Sequence, residues 1–239
     1  MFAIETVNLT KKYKDILAVN NLNLQIKAGE LFSLLGVNGA GKTTTIKMLS
    51  CLTTPTSGEA FLFENSVIKD SNAVKNLIAV SPQETAIAGG LTVLENLKFI
   101  CGIYGITGKK QQEKTIELIK LLGLNEVKNK KAKNLSGGFK RRLSIAMALI
   151  SEPKILFLDE PTLGLDVISR SELWDIIRSL KGEITIILTT HYMQEAEALS
   201  DRIAIMKNGE LLICDTVENI KQAANESSFE QAFINIVRG

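Results

Sequence analysis

The sequence predicts an α/β fold, because short apolar runs alternate with stretches of helical periodicity. The runs at 31–35, 155–158 and 184–188 have the length and composition of buried strands. Stretches that read as helices follow at 43–49 and 169–180, in the rhythm of a parallel sheet wound with helices. At 239 residues, the chain is long enough for one large domain with an additional lobe.

The two ends of the chain add other elements. Apolar and polar residues alternate in 19–27, as in a half-buried strand, and 2–9 has a similar pattern. These patterns predict an N-terminal antiparallel β subdomain. Near the other end, two apolar runs flank Asn208-Gly209 and predict a hairpin, and 228–237 reads as a last amphipathic segment.

The middle of the chain differs from both ends. Between about residues 85 and 150 the apolar residues recur at helical spacing, and no segment has a convincing strand pattern. We therefore expect one domain, in which residues 1–84 and 151–239 form the α/β core with its β subdomain. Residues 85–150 are expected to form a helical subdomain inserted into that core.

Composition and charge restrict the possible partners and location. The formal net charge is +2, so no overall field would concentrate the chain on nucleic acid, and no nucleic-acid partner is expected. The three cysteines form no Cys-x-x-Cys pair, which favours a reducing cytoplasm over a disulfide framework or a zinc site. The first residues lack a signal-peptide pattern, and no apolar run reaches the roughly 18 to 20 residues of a membrane span.

A glycine-rich loop lies between the strand at 31–35 and the helix at 43–49. It matches the pattern Gly-x4-Gly-Lys-[Ser/Thr], whose backbone N–H groups wrap phosphates at a helix N-terminus. The side chain of Lys42 is expected to reach the β and γ phosphates, and the hydroxyl of Thr43 to bind Mg²⁺. The predicted nucleotide-binding residues of this loop are Gly36, Asn38, Gly39, Ala40, Gly41, Lys42, Thr43 and Thr44.

Two carboxylates follow the apolar run at 155–158, where ligands bind in open α/β sheets. Asp159 is predicted to hold Mg²⁺, and Glu160 is placed to polarise an attacking water. By itself such a run is only a strand that meets a loop. Together with the phosphate loop, it is the expected second half of a P-loop NTPase site.

The segment Leu135-Ser136-Gly137-Gly138-Phe139 indicates which kind of P-loop protein this is. It resembles the Leu-Ser-Gly-Gly-Gln signature of the ATP-binding cassette of ABC transporters. Ser136 and the backbone of Gly137 and Gly138 can form a second anion-binding nest at a helix start. In that family, the nest faces the γ-phosphate bound to the opposite cassette, so that two cassettes enclose two ATP molecules.

The resemblance covers nearly the whole chain in the order of the family. It implies that Tyr13 stacks on adenine, that Gln83 is the Q-loop glutamine, and that Asp166 belongs to the D-loop. His191, the only histidine, takes the place of the switch histidine that contacts the γ-phosphate and Glu160. The implied catalytic residues are Lys42, Gln83, Glu160 and His191, and the implied Mg²⁺ ligands are Thr43, Gln83 and Asp159. Whether Glu160 or His191 is the principal base stays open.

Two positions depart from the commonest family pattern. Phe139 stands where the signature has Gln, and Leu163 stands where the D-loop usually has Ser. Both lie near the composite site, so they bear on the hydrolysis rate and on the communication between cassettes rather than on ATP binding. The residue Phe139, the run 140–142 and the tail at 227–235 resemble the drug-resistance and ABC-2-type export cassettes, which favours export.

The resemblance also implies partners. Cassettes of this kind pair with a second cassette, expected to be a second copy, and with a separate membrane permease that docks near 83–96. The chain would then lie at the cytoplasmic face of the cell membrane and power transport with ATP and Mg²⁺. The basic runs 128–133 and 140–142 are expected to be solvated surface, since no aromatic residues interleave with them.

Two alternatives remain. A soluble cassette that acts as an ATP-dependent switch on ribosomes or nucleic acid would have the same motifs, although such relatives typically carry tandem cassettes or a long coiled coil. A P-loop kinase or GTPase would need only the phosphate loop. The Ser-Gly-Gly signature and the lack of an Asn-Lys-x-Asp guanine motif count against the second alternative.

Overall fold

The computed structural model describes residues 1–238, and its strands form two sheets. The first sheet contains β1 (Phe2–Tyr13), β2 (Ile16–Lys27), β4 (Ser57–Leu62) and β5 (Asn65–Ser66). The second contains β3 (Leu31–Leu35), β6 (Ile78–Ser81), β7 (Ile155–Asp159), β8 (Thr185–Thr190), β9 (Arg202–Lys207) and β10 (Glu210–Asp215). The first sheet has the order β2-β1-β4-β5 and is antiparallel.

The second sheet has the order β10-β9-β3-β8-β7-β6. All its neighbouring strands pair in parallel except β10, which is antiparallel to β9 at one edge. The antiparallel first sheet and the mostly parallel second sheet, flanked by helices, confirm the predicted fold class.

The helices lie between and after these strands. They are α1 (Lys42–Leu49), α2 (Ser71–Leu77), α3 (Val93–Ile103), α4 (Gly108–Leu121), α5 (Gly137–Leu149), α6 (Val167–Ser179), α7 (Met193–Leu199), α8 (Val217–Ala223) and α9 (Phe229–Arg238). Short 3-10 turns occupy Asn125–Val127 and Ala132–Asn134. Within residues 1–238, no helix has both the length and the apolar character needed to cross a membrane.

The alternating strand pattern of β2 has the packing that its sequence predicts. Leu22, Leu24 and Ile26 are buried, and the residues between them are exposed. They join one apolar core with side chains of β1, β4 and α1, on one face of the second sheet. The elements β4, β5, α2 and β6 were not predicted, because each is short and none has a distinct periodicity.

Residues 93–149 contain the three α-helices α3, α4 and α5 and no β-strand. A single isolated β-bridge joins Thr92 to Lys131. Helices α3 and α5 share one apolar core with the second sheet, through residues such as Leu97, Leu143 and Leu156. This common core holds α5 against the sheet. The division into a core and an inserted helical subdomain of residues 85–150 stays a prediction.

Three parallel strands bring the predicted site together. Leu35 at the end of β3 pairs with Thr190 at the end of β8, and Asp159 at the end of β7 pairs with Thr189. Because carboxyl ends of parallel strands lie at one edge of a sheet, the loops that follow β3, β7 and β8 meet there.

Candidate nucleotide site

The glycine-rich loop runs from the end of β3 to the start of α1, as predicted. Gly39 and Gly41 have φ angles of 83° and 101°, in the region that favours glycine. A Cβ atom on Gly41 would lie 2.6 Å from the carbonyl oxygen of Ala18, so a larger residue would collide with β2. The first N–H groups of α1 have no partner within the helix and are available to an anion.

The side chain of Lys42 is buried inside the loop. Its Nζ donates to the carbonyl oxygens of Gly36 at 2.7 Å and Val37 at 3.2 Å, and it lies 3.9 Å from Oε1 of Glu160. Burial lowers the pKa of Lys42 from its ordinary value, and the nearby charges of Glu160 and Asp159 oppose that change. The ammonium therefore lies between the phosphate loop and the predicted catalytic carboxylate.

The residues predicted to hold Mg²⁺ lie around the end of β7. The hydroxyl of Thr43 donates to Oδ1 of Asp159 at 3.2 Å, and the hydroxyl of Thr189 donates to the same oxygen. Gln83 lines the cavity in front of them. Hydroxyl, carboxylate and amide oxygens are hard ligands of the kind that Mg²⁺ takes beside phosphate and water oxygens, so the donor set fits this ion.

Glu160 follows β7 with its backbone in a strained conformation. Its φ angle is 46°, which non-glycine residues rarely adopt. Its N–H donates to both the carbonyl and the hydroxyl oxygen of Thr189. Nδ1 of His191 lies 3.0 Å from Oε2 of Glu160, although outside hydrogen-bonding geometry. The structure thus brings the two candidate bases together.

A cavity of about 780 Å³ opens in front of these residues. It is lined by the predicted residues Asn38, Gly39, Gly41, Lys42, Thr43, Thr44, Gln83, Glu160 and His191. Five further lining residues were not predicted as part of the site: Ile16, Leu17, Ala18, Leu163 and Asn208. The hairpin that contains Asn208 reaches the glycine-rich loop through backbone hydrogen bonds. The N–H of Gly209 donates to the carbonyl oxygen of Ala40, and the carbonyl oxygen of Gly209 accepts from the N–H of Asn20. No local sequence pattern reveals these long-range contacts.

Tyr13 is not among the residues that line this cavity. It ends β1, is 42% exposed and lies under the ammonium of Lys11, which is 5.0 Å from its ring centre. Ile16 and Leu17, on the paired strand, reach the cavity instead. Adenine stacking by Tyr13 stays a prediction.

The signature residues lie outside the cavity as well. Ser136 caps α5 by accepting a hydrogen bond from the N–H of Phe139, and both Ser136 and Gly137 are exposed. Gly138 packs on α6, where an added Cβ would lie 2.9 Å from Oγ of Ser169. The start of α5 is therefore exposed and does not line the cavity in front of the phosphate loop of its own chain.

The basic run 140–142 is not the solvated surface that its charge suggests. The side chains of Arg141 and Arg142 are buried, at 5% and 9% exposure. Arg142 forms an ion pair with Glu172 on α6, and Arg141 points to the loops after β6 and β7. The expectation of a solvated face was wrong for these two residues, because the helix that carries them is buried between the sheet and α6.

Glu195 is a fully buried acid behind the loop that carries His191. Its Oε1 accepts a hydrogen bond of 3.2 Å from Nε1 of Trp174. Burial raises the pKa of the Glu195 carboxyl above its ordinary value, against smaller opposing effects of Thr190, Thr162, Trp174 and Arg170. The fold therefore favours the protonated form of this side chain.

This raised pKa predicts a pH dependence of stability. Above the ordinary carboxyl pKa the folded state binds more protons than the unfolded state, so the free energy of unfolding falls as pH rises through the folded pKa. The variant Glu195→Gln resembles the neutral form of this side chain. We expect its unfolding free energy to fall less steeply with pH than that of wild type, with a difference in slope of up to about 1.4 kcal/mol per pH unit. Urea unfolding between about pH 4 and pH 8 measures this slope. Glu197→Gln, on the exposed face of α7, is the control, and equal slopes for Glu195→Gln and wild type would contradict the prediction.

Comparisons with known proteins show what the chain is similar to. The profile of the family described as ABC transporter matches residues 19–163. The probable multidrug ABC transporter ATP-binding protein YbhF of Escherichia coli is 41% identical, over 98% of this chain and 41% of its own length. The daunorubicin/doxorubicin resistance ATP-binding protein DrrA of Streptomyces peucetius is 40% identical, over 92% of this chain and 67% of its own length. Human phospholipid-transporting ATPase ABCA3 is 43% identical over 87% of this chain and 12% of its own length.

Solved structures are similar too. A dimeric post-hydrolysis state of the ATP-binding cassette MJ0796, bound to ADP and Pi, matches with a TM-score of 0.79 and 30% identity, over 89% of this chain and 98% of that one. The ATP-binding subunit of an ABC transporter matches in fold with a TM-score of 0.86, over 98% of this chain and 99% of that one. Fold and site thus define the class as ATP-binding cassette ATPases. The chain belongs to the ABC transporter family, and it spans about two fifths of the length of YbhF.

Proposed function

We propose that the chain binds ATP in the cavity at the end of β3 and that its hydrolysis powers transport through a separate membrane permease. One observation carries this proposal: the cavity brings the phosphate loop, Glu160 and His191 together. The relatives named above are called ATP-binding proteins of ABC transporters or a transporting ATPase, which does not favour the soluble switch.

Each residue of the site has a proposed task. The loop N–H groups and Lys42 bind the phosphates and offset their charge. Glu160 accepts a proton from the attacking water, and His191, whose Nδ1 lies 3.0 Å from that carboxylate, contacts the γ-phosphate. Mg²⁺ held by Thr43 and Asp159, with Gln83 beside them, would offset charge on the phosphate oxygens.

A second cassette would complete the site. Ser136 and Gly137 begin α5 on an exposed surface outside the cavity of their own chain. An exposed anion-binding nest that does not line the cavity of its own chain can serve the phosphate loop of a partner. We infer that two copies pair so that the nest of each faces the nucleotide of the other, and the MJ0796 cassette, which is similar to this chain, is dimeric in its post-hydrolysis state.

The permease would dock beside Gln83. A groove of about 370 Å³ lies there between β6, α3 and α5, and Pro82, Ala86 and Ile100 line it. Ile103 and Tyr104 line the same groove and are more than half exposed. An apolar groove next to the Q-loop suits an amphipathic helix of a permease, so that closure around ATP moves that helix.

This assembly also gives a proposed location and direction. The chain would lie at the cytoplasmic face of the membrane, held there by the permease, and residues 85–150 would form the subdomain that carries both the groove and the signature. Two relatives are named for drug resistance or multidrug transport. Export is therefore the proposed direction.

Copurification from solubilised membranes tests the transport role. The Glu160→Gln variant, held in its ATP-bound form, is expected to retain one multispan membrane protein at stoichiometric yield. Adding Ile103→Glu, which puts a charge in the groove, is expected to abolish that yield. Adding Ile116→Glu, a matched change at an exposed site on α4, is expected to preserve it. Recovery of ribosomes, nucleic acid or soluble factors without a membrane protein would contradict the transporter function.

A further inference from the structure

Arg141 makes an unusual set of contacts for a buried arginine. It lies in α5, three residues after Gly138, and is 5% exposed. Its Nη1 donates to the carbonyl oxygen of Pro82 at 2.6 Å, and its Nη2 donates to those of Gln83 at 2.8 Å and Glu160 at 3.3 Å. One guanidinium therefore bonds to the backbone of two loops that carry predicted catalytic residues, the loop of Gln83 and the loop of Glu160.

These contacts differ from those of a structural ion pair. Arg142, the next residue, pairs with the carboxylate of Glu172 on α6 and reaches neither loop. Within residues 1–238, Arg141 forms no ion pair with a carboxylate, and the nearby charge of Asp159 partly offsets its burial. Its planar fork, which keeps its charge at any working pH, suits several carbonyl oxygens at once.

The hydrogen bond from Arg141 to the carbonyl oxygen of Glu160 helps to fix the backbone of Glu160. The backbone of Glu160 has a φ angle of 46°, a strained conformation for a non-glycine residue. Such a conformation persists only when the surrounding structure fixes it. Thr189 holds the N–H of Glu160, and Arg141 holds its carbonyl oxygen. On the other loop, Arg141 fixes the backbone of Gln83, whose side chain faces the nucleotide cavity.

We propose that Arg141 is a positioning residue that fixes Gln83 and Glu160 relative to each other and couples both to the signature helix α5. A shift of α5, when the nest of Ser136 engages the partner's nucleotide, would then move the backbone on both sides of the attacking water. This inference rests on the proposed ATP hydrolysis, and it names the element that would connect the signature to the catalytic carboxylate.

The test replaces Arg141 by Lys, which keeps the charge but cannot bond to three separate carbonyl groups. We expect turnover of ATP to fall about 10- to 100-fold, because misplacement of a catalytic group by about 1 Å costs that much. The ATP Kd is expected to stay within about threefold of wild type, because Arg141 does not line the proposed nucleotide cavity. A structural role alone would not separate Kd from kcat in this way.

Hydrogen exchange of the nucleotide-free chain gives a second readout. Amides of residues 83–88, 160 and 162–165 are expected to exchange about tenfold faster in Arg141→Lys, because hydrogen bonds to a charged group contribute to the stability of both loops. Arg142→Lys is the matched control, with the same change one residue further along α5, and is expected to alter neither loop.

The outcomes separate the two proposals. A wild-type chain without ATPase activity would contradict the proposed function. In that case, hydrogen exchange of the two loops in Arg141→Lys and in wild type would still decide whether Arg141 fixes them. Unchanged exchange and turnover in Arg141→Lys, or equal effects in Arg142→Lys, would overturn the inference. If Arg141→Lys does not fold, Arg141→Gln is measured in its place and judged by the same results.

Discussion

Replacing Glu160 by Gln is expected to lower ATP turnover by at least about 100-fold, the lower end of what a positioned general base contributes. The neutral amide keeps the size of the side chain but cannot accept a proton from the attacking water. Affinity for ATP is expected to be retained, because Glu160 lies beside the phosphate loop and its negative charge does not assist phosphate binding. Release of phosphate and equilibrium binding of a fluorescent ATP analogue measure the two quantities.

The matched control for this variant is Glu183→Gln, an exposed carboxylate that precedes β8 at the far edge of the sheet. It is expected to keep wild-type turnover. Turnover of Glu160→Gln near the wild-type rate would remove Glu160 from the catalytic role and favour His191 as the principal base. Loss of ATP binding in Glu160→Gln would show instead that the carboxylate supports the loop through Lys42.

Replacing Lys42 by Ala is expected to weaken ATP binding by about 100-fold, since removal of one partner of a buried charged contact costs about 2–5 kcal/mol. The reason is the position of Lys42, which is the one charged side chain of the glycine-rich loop. Isothermal titration with ATP and Mg²⁺ measures the loss. Removal of the two hydrogen bonds to Gly36 and Val37 also requires a check of folding by thermal unfolding.

Lys47→Ala is the control for this prediction. It removes the same type of side chain from the same helix α1, at an exposed position away from the loop. ATP affinity of Lys47→Ala is expected to equal that of wild type. Tight ATP binding by a folded Lys42→Ala variant would contradict the assignment of the phosphate loop.

Local sequence patterns predicted most of the strands that place the site. The loop from Gly36 to Thr43 could be assigned because its pattern and its strand and helix neighbours are contiguous in the chain. The fold class followed from the same local signals. Such local patterns predict contacts within one segment of the chain. They also predict contacts at the edge of a parallel sheet, where the carboxyl ends of its strands meet.

Long-range contacts of the site could not be predicted in this way. Asn208 lines the cavity because the turn that carries it packs against the phosphate loop, almost 170 residues away in sequence. Arg141 looks like part of a surface basic run, and only the packing of α5 against the sheet buries it. Its carbonyl partners carry no side-chain signal, so no sequence pattern marks them.

The most direct test of the central claim is the mass of the Glu160→Gln chain in solution with and without ATP and Mg²⁺, measured by light scattering during gel filtration. A cassette whose site is completed by the nest at Ser136 of a second copy is expected to be a monomer without ATP and a dimer with two bound nucleotides when ATP is present. The double variant that also carries Lys42→Ala is expected to remain a monomer. A chain that binds ATP to saturation and stays a monomer at every concentration would contradict the claim that two copies share the site.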